Sequence, residues 1–82
     1  MYFNISQYSQ DFAPSPSRAW EQINDNTFHC AAGNAVLVVF RNGEGKVWWA
    51  EGSNPSFESA TWFWTAEQAM YWAEKTIEDW FI

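Results

Sequence analysis

The chain has 82 residues, among them seven tryptophans, seven phenylalanines and three tyrosines, and ten acidic against four basic side chains give it a formal net charge of -6. This length predicts a single domain, residues 1–82, and makes a multi-step enzyme improbable. One small core cannot bury so many large rings completely, so some are expected at the surface, either as ordinary half-buried packing or as part of an interface.

The charge balance restricts the partners. Arg18, Arg41, Lys46 and Lys75 are scattered and form no cluster, whereas nucleic-acid binding depends on clustered Lys and Arg that displace counterions from phosphates. We therefore expect no direct nucleic-acid binding and, instead, a protein partner with a basic surface. No run approaches the ~20 apolar residues of a membrane span, and the start of the chain lacks the pattern of a secretory signal, so a cytoplasmic location is expected.

The N-terminal part is predicted to be irregular at first and then helical. Residues 1–14 are expected to form a packed arm, and residues 15–82 the rest of the fold. Ser15 followed by Pro16 is typical of a helix start, and Ala19, Trp20 and Ile23 share one helical face. A short helix is therefore predicted from Pro16 to Asn24.

The middle of the chain predicts an antiparallel meander. Three strands are expected, separated by the turn Gly33-Asn34 and by a loop at residues 42–45. Their predicted bounds are Thr27 to Ala32, Ala35 to Arg41 and Lys46 to Glu51. The second has no polar face, which indicates a central strand covered on both sides. Residues 52–59 are predicted to form a loop with Phe57 as its anchor, and Ala60 to Trp64 is expected to add a short fourth strand.

The C-terminal segment predicts a capped helix from Ala66 to about Trp80. Thr65 and Gln68 form a capping box, in which the Thr65 hydroxyl bonds the Gln68 amide and the Gln68 side chain returns to the Thr65 amide. The predicted apolar stripe consists of Ala66, Ala69, Met70, Ala73, Ile77 and Trp80. The resulting fold class is α+β: a three- to four-stranded antiparallel meander with both helices packed on one face. The other face of the sheet would then be apolar and uncovered.

Catalysis has little support in the sequence. His29 and Cys30 are adjacent, but side chains of neighbouring strand residues point to opposite faces, so neither can activate the other. One histidine and one cysteine are too few for a zinc site, and no phosphate-binding glycine motif is present. We expect no catalytic residues, no metal and no cofactor.

The candidate partner-binding residues lie on the C-terminal helix and on the third strand. Glu67, Tyr71, Glu74 and Glu78 form a stripe on one flank of the helix, which is either a plain solvated face or an imitation of nucleic-acid phosphates toward a basic groove. Trp72, on the opposite flank, is either covered by the N-terminal arm or exposed for binding a partner. Trp48 and Trp49 complete the set, on opposite faces of their strand.

In general form the chain is similar to phage-encoded inhibitors of bacterial defence, including anti-CRISPR proteins. The likeness rests on Thr65 to Gln68 opening an acidic helix behind the meander Thr27 to Glu51. It implies a stoichiometric blocker that occupies a basic surface of a nucleic-acid-handling complex, and it transfers no functional residue.

Two functions follow as expectations. The first is a non-enzymatic binding protein that docks through rings and an acidic surface. The alternative is a self-associating structural or adaptor protein whose surplus rings meet in a homodimer.

Overall fold

The computed structural model describes residues 9, 11–41, 47–54, 56–59 and 61–80, the side chain of Trp80 excepted. Within these residues the chain forms a five-stranded antiparallel sheet and one α-helix. The strands are β1 (Glu21–Asn24), β2 (Thr27–Ala32), β3 (Ala35–Arg41), β4 (Trp48–Ser53) and β5 (Phe57–Glu58), and the helix is α1 (Ala66–Trp80). The strands pair in chain order. The predicted α+β class, with an antiparallel meander and a C-terminal helix, is therefore confirmed.

The central hairpin follows the local turn chemistry. Gly33 has a φ of 66°, which glycine adopts without steric cost, and β2 and β3 have the predicted bounds. The third predicted strand is displaced toward the C-terminus, because β4 runs from Trp48 to Ser53. The loop predicted at residues 42–45 lies outside the described residues.

The segment after β4 differs from the prediction in detail. The two-residue strand β5 lies inside the predicted loop, and the predicted strand from Ala60 to Trp64 is reduced to a single bridge between Trp48 and Phe63. Ser59 explains the interruption, since its hydroxyl donates to the Thr61 carbonyl at 2.7 Å and accepts from the Ala50 amide at 3.3 Å. These side-chain bonds compete with continued strand pairing.

The helix predicted at residues 16–24 does not form. Residues 21–24 instead become β1, an edge strand paired with β2. The Asn24 side chain accepts a hydrogen bond from the Asn26 amide at 2.8 Å, which closes the turn into β2. Ile23, expected on the buried face of the helix, is 53% exposed. A single helix of this length is marginal in water, and distant contacts described below hold the segment in an extended form.

Helix α1 begins with half of the predicted capping box. Thr65 Oγ1 accepts from the Gln68 amide at 3.1 Å, as predicted. The Gln68 side-chain oxygen, however, accepts from the Trp64 amide at 3.1 Å and not from that of Thr65. The Gln68 side-chain nitrogen donates to the carbonyls of Ser9 (2.9 Å) and Phe12 (2.8 Å). The buried Gln68 side chain therefore ties the helix start to the N-terminal segment.

The core lies between α1 and one face of the sheet. The predicted stripe of α1 is buried at Ala66, Ala69, Met70, Ala73 and Ile77; the Trp80 side chain is outside the described residues. Small alanine side chains let the helix approach the sheet closely. It packs mainly on β3 and β4.

Strand β3 is central, as predicted, but among the described residues a helix covers only one of its faces. Ala35, Leu37 and Val39 are buried under α1, whereas Val36 on the opposite face is 40% exposed. The expectation that both faces of β3 are covered is wrong in the described part of the chain. The one helix of the described residues, α1, lies on one side of the sheet.

Candidate functional site

The uncovered side of the sheet is the candidate site. Directly paired residues of antiparallel strands share a face, so the register identifies its members. We call this surface the open face; it consists of Glu21, Thr27, His29, Ala31, Val36, Val38, Phe40, Trp49, Glu51, Ser53 and Glu58, together with Trp62 beside Trp49. Every one of these side chains is exposed or half-buried. Within the described residues, no helix packs on it.

Aromatic rings occupy one end of the open face. Phe40 pairs with Trp49 across β3 and β4, and the ring centroids of Trp49 and Trp62 lie 4.9 Å apart at an interplanar angle of 53°. The Trp49 indole N–H donates to Glu51 Oε2 at 3.1 Å. This bond orients a carboxylate beside the ring pair.

A row of three glutamates and one histidine, interrupted by Val38, crosses the sheet next to these rings. Its members, in strand order, are Glu21, His29, Val38, Glu51 and Glu58. Glu21 Oε1 lies 2.8 Å from His29 Nε2 at one end of the row. At the other end Glu51 is directly opposite Glu58. Among the described residues, no lysine or arginine forms an ion pair with either of these two carboxylates.

Of the predicted docking tryptophans, only Trp49 lies on the open face. Trp48 is on the helix side, where its ring centroid is 5.9 Å from that of Phe28 and the Arg41 guanidinium lies 5.3 Å from it. Trp72 contacts Phe57 and Phe63, each at 5.8 Å between ring centroids. Both rings pack against the core, so the site built from the structure relies on Trp49 and Trp62.

The predicted stripe on α1 is only partly at the surface. Glu67 and Glu78 are exposed, and Glu78 Oε1 lies 3.5 Å from Lys75 Nζ. Tyr71 is half-buried, because Phe12 packs edge-on against it at 5.7 Å. This flank of the helix therefore carries a partly neutralised charge.

Glu74 does not lie at the surface, although both interpretations of this stripe, a solvated face and an imitation of phosphates, require an exposed carboxylate. Its side chain is 1% exposed, and its carboxylate accepts four hydrogen bonds from the N-terminal segment. The donors are the Ser17 amide (2.9 Å), the Ser17 hydroxyl (3.1 Å), the Arg18 amide (2.9 Å) and the Trp20 indole N–H (2.8 Å). Glu74 cannot face a partner because residues 17–20 cover it.

The titration of Glu74 is consistent with a structural role. Burial raises the pKa of the carboxyl, but the hydrogen bonds from Ser17, Trp20 and Arg18 outweigh burial, so its pKa is lowered overall. The group is thus held as a carboxylate inside the protein.

His29 and Cys30 lie on opposite sides of the sheet. His29 is on the open face beside Glu21, whereas Cys30 is buried in the core. Burial, as the largest effect, raises the pKa of the Cys30 thiol, which keeps it protonated and a poor nucleophile. The described residues contain no group of three or more His, Cys, Asp or Glu that could hold a metal ion.

Two features of the structure are not evident from the sequence. Trp62 falls in the predicted strand from Ala60 to Trp64, and the burial of Phe63 in the structure assigns Trp62 to the opposite face by alternation. The Glu74 cluster has no local signal, since its donors are more than fifty residues away along the chain.

No family model matches the chain, and no curated protein or solved structure matches it. Among the described residues, none of the helical structure has the length and apolar character that crossing a membrane requires.

Proposed function

We propose that this is a cytoplasmic, non-enzymatic binding protein that docks onto a basic surface of a protein partner. The observation that carries the proposal is the open face, an apolar and aromatic sheet surface crossed by carboxylates. Protein interfaces are enriched in aromatic anchors surrounded by a polar rim. Val36, Val38 and the Trp49–Trp62 pair supply the apolar part, and Glu21, Glu51 and Glu58 supply the rim.

Charge favours a foreign partner over a second copy of the chain. Two open faces brought together would place Glu51 and Glu58 of each copy within one interface, and desolvated like charges oppose association. A basic partner turns the same carboxylates into attractive groups and is steered toward them by the net charge of -6.

The partner class we propose is a nucleic-acid-handling complex that the protein inhibits by occupancy, as a phage inhibitor of bacterial defence does. Such complexes hold phosphates in basic grooves, and an acidic protein can compete for such a groove. The support is the acidity of the exposed surface together with the general form of the chain.

The test is affinity capture with three baits in extracts of cells that encode the protein. The baits are the wild type, an open-face reversal (Glu51→Lys with Glu58→Lys) and a helix reversal (Glu67→Lys with Glu78→Lys). Both variants change the net charge equally. The proposal predicts that a basic protein is enriched with the wild type and the helix reversal, and that it is lost with the open-face reversal.

Each outcome is informative once near-UV circular dichroism shows that both variants are folded. Enrichment of no protein, with a dimer in light scattering that the open-face reversal dissociates, would replace the proposal by self-association. Equal loss with both reversals would mean that overall charge, and not the open face, drives capture.

A further inference from the structure

At the β5 end of the row that crosses the open face lie two carboxylates with no ion-pair partner among the described residues. Glu51 and Glu58 are directly opposite each other on β4 and β5, and like charges in this position destabilise a sheet. The described cations lie elsewhere: Arg41 is bound to Asn26 and Asp25, and Lys75 is bound to Glu78, while the exposed Arg18 contacts Glu74 through its backbone. Among the described residues the pair therefore has no cationic partner, and an incoming cation would supply one.

Two half-buried rings, Trp49 and Trp62, lie beside this carboxylate pair. Trp49 donates to only one oxygen of Glu51, and no described residue bonds the other. Trp62 packs against Trp49 at a tilt, so the two rings form an angled aromatic surface beside the carboxylates. A planar cation can stack on an indole and donate to a carboxylate at the same time.

We propose that the corner formed by Trp49, Trp62, Glu51 and Glu58 binds arginine side chains of the partner. The occupant is a protein segment that carries arginine, and the inference rests on the proposed function because it names the chemistry of that same partner. Arginine is favoured over lysine because its guanidinium stacks on aromatic rings and donates in a bidentate manner to carboxylates. The lysine ammonium group has a compact charge and no planar surface that could stack on an indole ring.

The test uses two short probe peptides of equal length, one alternating arginine with glycine and the other alternating lysine with glycine. Their binding is followed by the indole N–H signals of the protein in two-dimensional NMR at constant ionic strength. Trp20 is an internal control, since its indole N–H is bound to the buried Glu74. We expect saturable shifts of the Trp49 and Trp62 signals with the arginine peptide, no shift of the Trp20 signal, and affinity for the lysine peptide lower by about threefold or more.

Three variants sharpen the result. Trp62→Leu, which retains an apolar side chain, should weaken binding of the arginine peptide about fivefold and reduce its preference over lysine. Glu58→Gln should weaken binding about threefold while raising the thermal stability of the free protein, because it removes the repulsion with Glu51. Glu67→Gln, on the exposed flank of α1, is the matched control for binding and should leave the affinity for the arginine peptide unchanged.

The inference is overturned if the two peptides bind equally, if the Trp49 and Trp62 signals do not shift, or if Glu67→Gln weakens binding as much as Glu58→Gln. A captured partner that depends on the open face while the peptides show no arginine preference would leave the proposed function standing without this inference. Arginine-selective shifts of the Trp49 and Trp62 signals with no captured partner would support this inference and leave the proposed function without support.

Discussion

At the scale of single residues, Glu74 and Gln68 decide how the N-terminal segment is held. Both are buried polar side chains of α1. The Glu74 carboxylate accepts hydrogen bonds from residues that precede the sheet, and the Gln68 side-chain nitrogen donates to the carbonyls of Ser9 and Phe12. A buried carboxylate is tolerated only when donors surround it. Glu74 has four such donors, so it connects a segment without regular structure to the core.

Removal of the Glu74 carboxylate should destabilise the folded protein. Glu74→Ala leaves four donors without their acceptor, and we expect the free energy of unfolding to fall by more than about 2 kcal/mol. Chemical denaturation measures the change. The matched control is Glu78→Ala, an exposed glutamate one turn further along the helix, for which a change below about 0.5 kcal/mol is expected. Similar losses in the two variants would contradict the buried role of Glu74.

The lowered pKa of Glu74 also predicts a pH dependence. Because the pKa in the folded state is depressed, the stabilisation is fully present above the unfolded value of about 4.3 and is lost as the pH falls through the folded value. Thermal unfolding from about pH 7 to about pH 3 should show a steeper acid loss for the wild type than for Glu74→Gln. Parallel curves would mean that Glu74 does not titrate differently in the two states.

At the scale of elements, turn and capping residues in the sequence correctly predicted the strands and the helix that they begin or end. The Gly33 turn determined the bounds of β2 and β3, and the Thr65 cap with its alanine stripe determined α1. The helix expected at residues 16–24 does not form because this segment is hydrogen-bonded to Glu74, which is 54 positions from Trp20. The helical spacing of Ala19, Trp20 and Ile23 carries no information about these distant hydrogen bonds.

The Glu74 contacts should protect amides in a segment without secondary structure. The Ser17 and Arg18 amides donate to the buried carboxylate, so both should exchange with solvent slowly in hydrogen-exchange NMR. Glu74→Gln should accelerate them at least about tenfold while the β3 amides remain protected. Fast exchange of both amides in the wild type would show that residues 17–18 are not held by Glu74.

The contact between β4 and β5 offers a second prediction at this scale. The Phe57 ring lies over Gly52, and a Cβ atom at that position would overlap it. Gly52→Ala should therefore cost about 1–3 kcal/mol in the free energy of unfolding. The same substitution in a Phe57→Ala background should cost much less, because the obstructing ring is gone. Equal costs in both backgrounds would show that the ring does not restrict this site.

At the scale of the whole molecule, the described part of the chain forms a sheet with one face covered by α1 and one face on which no helix packs. The sequence predicted surplus rings and an uncovered face, but apart from Trp48 and Trp49 it placed the docking residues on α1, where Glu74 is buried and Glu78 is paired with Lys75. Periodicity distinguishes the two sides of a helix; it does not show which polar residues a distant segment covers. Pairing register, visible only in the fold, brings Trp49, Glu51 and Glu58 together.

The central claim is that the open face docks onto a basic partner, and the association rate constant with the captured partner tests it most directly. It is measured by surface plasmon resonance at two salt concentrations for the wild type, Glu51→Lys with Glu58→Lys, and Glu67→Lys with Glu78→Lys. We predict that the open-face reversal slows association at low salt by about tenfold and flattens its salt dependence, whereas the helix reversal changes the rate by less than about threefold. Wild-type association by the folded open-face reversal would contradict the claim.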